Sequence, residues 1–289
     1  MSTATLLALL ANLFFSASAL SFGDFSSKYG SLWVNSFKSF VSFIVMAAVF
    51  FILGYYSNPI DKVSAFYMLS GLIGLAIGDY FLVIGFQKIG PARTLLLFGM
   101  QPVFFLLIDK LYFKLVITHW SYLGVALMLT SLILIFTERK KNIYHWSLVG
   151  FLCALSGVLL DFSGVLITKW CMNQADHSIV EVYFWRMLGA VVGLFVLHSA
   201  FRMPALRFNK GETNREKTIF IIACLAGTLI SLWFYLKAIE IGPLSSVTAV
   251  AVTGPLFAGL FEWIFFKKPL TLNLALSLIA FGFGFAILS

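Results

Sequence analysis

The chain has 289 residues, 61% hydrophobic and 11% charged, with twenty Lys and Arg against twelve Asp and Glu and a formal net charge of +8. Water-soluble globular chains are about half apolar and about a quarter charged, so this composition excludes a soluble enzyme and a disordered protein. In so apolar a chain the basic excess reports orientation in a bilayer rather than a polyanionic partner, which removes nucleic acid as a ligand.

Continuous apolar runs such as Leu95–Leu107 and Leu123–Phe136, without alternation, point to membrane helices and not to a barrel. In chain order the candidate spans are residues 4–22, 31–53, 64–87, 92–109, 119–137, 146–168, 178–200, 217–239, 244–264 and 270–288. The expected fold is an all-α polytopic membrane protein of ten transmembrane helices. Residues 1–22 lack the basic start of a cleaved leader and read as the first span. Only the connectors at 138–142 and 202–217 are strongly polar. Cys153, Cys171 and Cys224 stand apart without a CxxC spacing, and His119, His145, His177 and His198 without an HExxH. Neither a metal nor a cofactor is expected.

The chain repeats itself. Ile89-Gly90-Pro91 recurs as Ile241-Gly242-Pro243, and each Gly-Pro breaks a helix. An apolar helix follows each, with Pro102-Val103-Phe104 in one and Pro255-Leu256-Phe257 in the other. Asp109 and Glu262 come seven residues after these prolines. The division is a first five-helix repeat at 1–138, a basic connector at 139–145 and a second repeat at 146–289. Five is odd, so the second repeat must enter the bilayer from the opposite side. Inverted repeats of this kind recur in secondary transporters, which hold substrate near the midplane between the halves.

These residues resemble the EamA-type repeat of the drug/metabolite transporter superfamily. The likeness rests on the repeated Ile-Gly-Pro turn followed by Pro-x-Phe, on Gly78-Asp79, on Trp185-Arg186, and on Gly157 with Thr168-Lys169. Lys38 stands where the family often has arginine. The resemblance implies a transporter that exports amino acids or related metabolites.

Ionisable residues inside a bilayer are costly and persist when paired, hydrated or functional. The interior set is Lys38, Asp79, Asp109, Asp161, Arg186 and Glu262. Lys38 and Arg186 lie at similar depths from opposite sides, where they either face a central cavity or snorkel to the interface. Asp161 either pairs with Arg186 or binds a substrate amine or a coupling proton. Asp79 has Ser231 as its repeat counterpart, and that asymmetry favours function. Asp109 and Glu262 recur, which favours a structural or gating role. Pro102 and Pro255 each free a backbone carbonyl, so they are candidate kinks or hinges, with Gln101 beside the first. Trp185 and Tyr235 are candidate pocket aromatics.

Connectors on the termini side carry five cations and those on the other side thirteen, with Lys38 and Arg186 inside. The charge bias puts the termini outside a plasma membrane, such as a bacterial inner membrane; the family resemblance puts them in the cytoplasm. Chemistry is not expected, since no nucleophile–base pair, metal box or Walker-type GxxxxGK[ST] is present. The leading reading is alternating-access export of a small polar metabolite, with protons as a candidate coupling ion. A receptor or assembly protein without transport, and an intramembrane enzyme, are the alternatives.

Overall fold

A computed structural model describes the chain apart from residues 1–2, 58–60, 99–100, 102–103, 105–118, 137–146, 202–205, 207, 209–210, 243–246, 249, 251–252, 268–271 and 289. Every element named among the described residues is helical. The first five are α1 (Thr3–Tyr29), α2 (Ser31–Ile52), α3 (Lys62–Ile89), α4 (Pro91–Phe98) and α5 (His119–Phe136). The second five are α6 (Leu148–Met172), α7 (Ile179–Ala200), α8 (Asn214–Ile241), α9 (Thr253–Phe266) and α10 (Leu272–Leu288). Six of these, α1, α2, α3, α6, α7 and α8, are long and apolar enough to cross a membrane. The expectation of ten spans is met for these six.

Sequence signals set several helix starts. Asp61 caps α3 by accepting from the Ser64 N–H at 2.8 Å. Ser178 and Glu181 close a capping box on α7, and Thr213 and Glu216 close another on α8. Each satisfies amide groups that a helix N-terminus leaves without an internal acceptor. Gly90 ends α3 at φ 90°, a backbone conformation that side chains rarely adopt, and Pro91 starts α4 at once.

Both α3 and α8 widen into a π-helical stretch, Leu72–Gly78 in one and Leu225–Ile230 in the other. These stretches are equivalent in the repeat: Asp79 and Ser231, which follow them, are 152 residues apart, as are Gly90 and Gly242.

The packing has the same symmetry. Helix α1 lies on α8 as α6 lies on α3, and α1 meets α9 as α6 meets α4. Helix α7 packs on α3 as α2 packs on α8; α2 meets α7, α4 meets α9 and α5 meets α10. Exchanging α1–α5 with α6–α10 leaves this set unchanged.

The α3–α7 crossing is tight because it is lined with glycine. A Cβ on Gly71 would sit 1.8 Å from the Arg186 carbonyl oxygen, and one on Gly189 would sit 2.0 Å from that of Met68. Large apolar side chains such as Phe195, Phe265 and Phe283 remain on the outside, as suits a molecule whose solvent is lipid.

Candidate functional site

A small, partly open cavity lies between the two sets of helices. Helix α1 supplies Ala11, Asn12 and Phe15, α2 Lys38, and α3 Leu75 and Asp79. From the second set come Asp161 of α6, Arg186 of α7, and Gly227, Thr228, Ser231, Leu232 and Tyr235 of α8, with Val247 beyond. Four of the six interior ionisable residues therefore meet at one place, two cations and two carboxylates.

Their pairing differs from what spacing alone suggests. Lys38 Nζ donates to Asp79 Oδ2 in a buried ion pair, and it sits over the Phe22 ring at 5.4 Å. Lys38 is 2% exposed and Arg186 1%, so neither snorkels. Asp161 and Arg186 do not approach within the 4.0 Å of an ion pair. Asp161 Oδ2 instead accepts from Gln101 Nε2 at 3.0 Å. Arg186 donates to Thr168 Oγ1, whose own hydroxyl is within 3.1 Å of Ser70 Oγ and 2.9 Å of the Gly164 carbonyl oxygen. The reason lies in the repeat: where α3 offers Asp79 to Lys38, α8 offers Ser231, and Ser231 spends its hydroxyl on the Ala11 carbonyl at 2.9 Å. The first half neutralises its cation, and the second half leaves its cation available.

Among the described residues, three fully buried side-chain atoms of cavity-lining residues have no hydrogen-bond partner: Arg186 Nε, Tyr235 Oη and Thr228 Oγ1. Each can donate a proton, and a buried donor left unmatched costs about 1–3 kcal/mol. Together with Asp161 they give the wall unspent donors and a carboxylate that is not ion-paired.

The remaining sequence candidates fall elsewhere. Trp185 packs against Phe184 and Phe50, outside the cavity lining; one residue along a helix turns the side chain by about 100°, so it cannot share the face of Arg186. Glu262 is buried and accepts from the Ala92 N–H at 3.3 Å, at the start of α4. That is the role of a helix N-terminal anchor. Pro255 lies in α9, whose described residues run Thr253–Phe266. Beside it, α1 reaches the neighbouring carbonyls: Asn12 Nδ2 donates to Val250 O and Ser16 Oγ to Gly254 O, each at 3.0 Å. Pro102 and Asp109 lie outside the described residues.

Sequence reading missed Asn12 and Thr228. Asn12 was findable as an amide within an apolar helix. Thr228 carried no signal beyond its place in a helix whose partner repeat was already suspected.

The EamA-like transporter family model matches the chain twice, over residues 2–137 and 148–289. No curated protein matches. A solved crystal structure of a protein aligns over 99% of this chain and 96% of its own, with a TM-score of 0.70 at 15% identity, a likeness of fold. With both halves matched, apolar helices able to cross a bilayer and a cavity lined by four ionisable residues between them, this chain belongs to the EamA-like transporter family and is an integral, multi-pass membrane transporter of the drug/metabolite transporter superfamily.

Proposed function

We propose that the chain is a secondary transporter that exports a small zwitterionic metabolite, an amino acid or close relative, by alternating access. The proposed architecture is ten helices in two inverted halves, residues 1–138 and 146–289, joined by the basic connector 139–145. The observation that carries this reading is the division of charge in the cavity. Lys38 and Asp79 neutralise each other, while Arg186 and Asp161 share the same wall beyond ion-pairing distance.

A substrate carboxylate meets Arg186 Nε and the hydroxyls of Tyr235 and Thr228, and its ammonium group meets Asp161. Charge-assisted contacts of this kind are about twice as strong as neutral ones. Once they are made, the unspent donors are matched and both charges are compensated, which favours a ligand carrying both signs over one carrying a single sign. Asp161 is also the proposed site of the coupling proton: it is buried, and among the described residues its hydrogen bond is from the Gln101 amide.

Reconstitution tests the reading. Liposomes preloaded with unlabelled solute are offered labelled amino acids, nucleosides or sugar phosphates, one class at a time. Counterflow of amino acids is the expected result, and proton coupling predicts that an imposed pH gradient drives net amino-acid transport without preloading. Accumulation of none of the three classes would contradict transport of a small polar metabolite, and accumulation of sugar phosphates alone would contradict the zwitterion.

A further inference from the structure

The two π-helical stretches are each engaged by a buried polar side chain, and the two side chains are equivalent. Asn35 Nδ2 donates to the Leu75 and Ala76 carbonyls at 3.1 and 2.9 Å. Tyr183 Oη donates to the Thr228 carbonyl at 2.9 Å. Asn35 and Tyr183 are 148 residues apart, and so are Lys38 and Arg186. The acceptors Ala76 and Thr228 are 152 residues apart, and so are Asp79 and Ser231. In both halves, then, the residue one helical turn before the cation donates to the carbonyl three residues before position 79 or 231. Side chains three apart on a helix share a face, so donor and cation confront the same stretch of the neighbouring helix.

A π-helical stretch displaces backbone carbonyls from ordinary helical pairing, and such stretches concentrate at functional sites. In each half the helix bearing the cation donates to a carbonyl of this stretch, to Ala76 O (which also accepts from the Asp79 N–H) in one and to Thr228 O in the other, and that bond sets the depth and rotation of the helix against the cavity wall. We propose that Asn35 and Tyr183 are positioning residues, each fixing the cation one turn beyond it against the widened stretch of the neighbouring helix, and that Tyr183 thereby holds Arg186 at the cavity. The two halves differ in consequence. Asn35 positions a cation that Asp79 already neutralises. Tyr183 positions one whose hydrogen bond among the described residues is to the neutral hydroxyl of Thr168, so a loosened Tyr183 changes the cavity's potential and a loosened Asn35 does not.

The inference rests on the cavity being the substrate site, but its test needs neither a substrate nor transport. Leu232 lines the cavity on α8. Leu232→Cys is made in the full chain, and its reaction in detergent is measured with a cationic reagent, 2-aminoethyl methanethiosulfonate, and an anionic one, 2-sulfonatoethyl methanethiosulfonate. Rates are taken as increments over the parent, which holds Cys153, Cys171 and Cys224. The anionic-to-cationic rate ratio reads the local potential. Adding Tyr183→Phe lowers that ratio about threefold or more, toward the value given by Arg186→Gln, whereas adding Asn35→Leu leaves it within about 1.5-fold. Tyr183→Gln, which restores a donor, returns it to the Leu232→Cys value, and Tyr183→Leu, which also lacks a donor, takes the place of Tyr183→Phe if that variant does not purify as a monodisperse protein. A ratio unmoved by Tyr183→Phe, moved equally by Asn35→Leu, or still low with Tyr183→Gln overturns the positioning role and leaves the cavity reading intact. No reaction at Leu232→Cys with either reagent overturns the cavity reading itself, and the positioning role with it.

Discussion

Two buried cations at equivalent places carry different loads: Lys38 is tied to Asp79, and Arg186 is not tied to a carboxylate. Removing one member of a buried ion pair strands the other and costs about 3–5 kcal/mol, while removing both costs far less. Lys38→Met should therefore melt well below the parent in detergent, and Lys38→Met with Asp79→Leu should recover most of the loss. A double variant no more stable than the single one would mean that the pair contributes little. Arg186→Gln is expected to behave differently, staying near the parental melting temperature while losing transport. The interior charges were legible because charge is rare in this chain. Their partners were not. Spacing along one helix says which side chains share its face, but the choice between Asp79 and Asp161 as the partner of a cation depends on how α2 and α7 are rotated against α3 and α6, and that depends on packing of the whole bundle.

At the scale of the element, the glycine-lined α3–α7 crossing and the helix caps carry separate expectations. Gly189→Ala places a methyl 2.0 Å from a backbone carbonyl oxygen that no rotamer change can move. Overpacking of this kind costs about 1–3 kcal/mol, occasionally more, so the variant should melt lower and expand the crossing; an unchanged melting temperature would contradict the contact. Asp61 caps α3 outside the membrane-crossing segment. Burial acts to raise its carboxyl pKa, but hydrogen bonds from the Ser64 N–H and hydroxyl, with His177 3.7 Å away, outweigh it and hold the group below its ordinary value. A depressed carboxylate stabilises the fold above its unfolded pKa and loses that contribution as pH falls through the folded value. Asp61→Ala should therefore cost about 0.5–2 kcal/mol near neutral pH, and its deficit against the parent should shrink below about pH 4. A deficit that persists unchanged to pH 2.5 would rule out the ionised cap. The Gly-Pro signal made the end of α3 readable in advance; the capping boxes of α7 and α8 came from the structure. The π-helical stretches were invisible, because no residue type demands one; they are held by side chains from another helix, Asn35 and Tyr183.

Across the whole molecule, contacts between connectors follow the sides that ten crossings would give them. Lys28, at the end of α1, reaches Glu216 at 3.2 Å and Glu212 at 3.8 Å at the start of α8. On the other side, His177 before α7 is 3.7 Å from Asp61 before α3, and Lys169 donates to the Ile239 carbonyl at 2.7 Å. The thirteen-to-five cation bias carries the proposal that the termini face away from the cytoplasm. It predicts that Ser2→Cys is labelled by an impermeant maleimide in intact cells; labelling only after permeabilisation would reverse the orientation. The fold was readable at this scale because duplication writes the same signal twice, in the turn, the proline and the acid. The cavity's chemistry was readable only as a short list of residues, since its meaning lies in where the two copies differ, Asp79 against Ser231. The most direct test of that meaning is counterflow of a labelled amino-acid mixture into proteoliposomes holding the parent, Asp161→Asn or Arg186→Gln. Parental accumulation should fall to about a tenth or less in each variant while both remain monodisperse, the loss of one charge-assisted contact; parental rates in both variants would contradict the site.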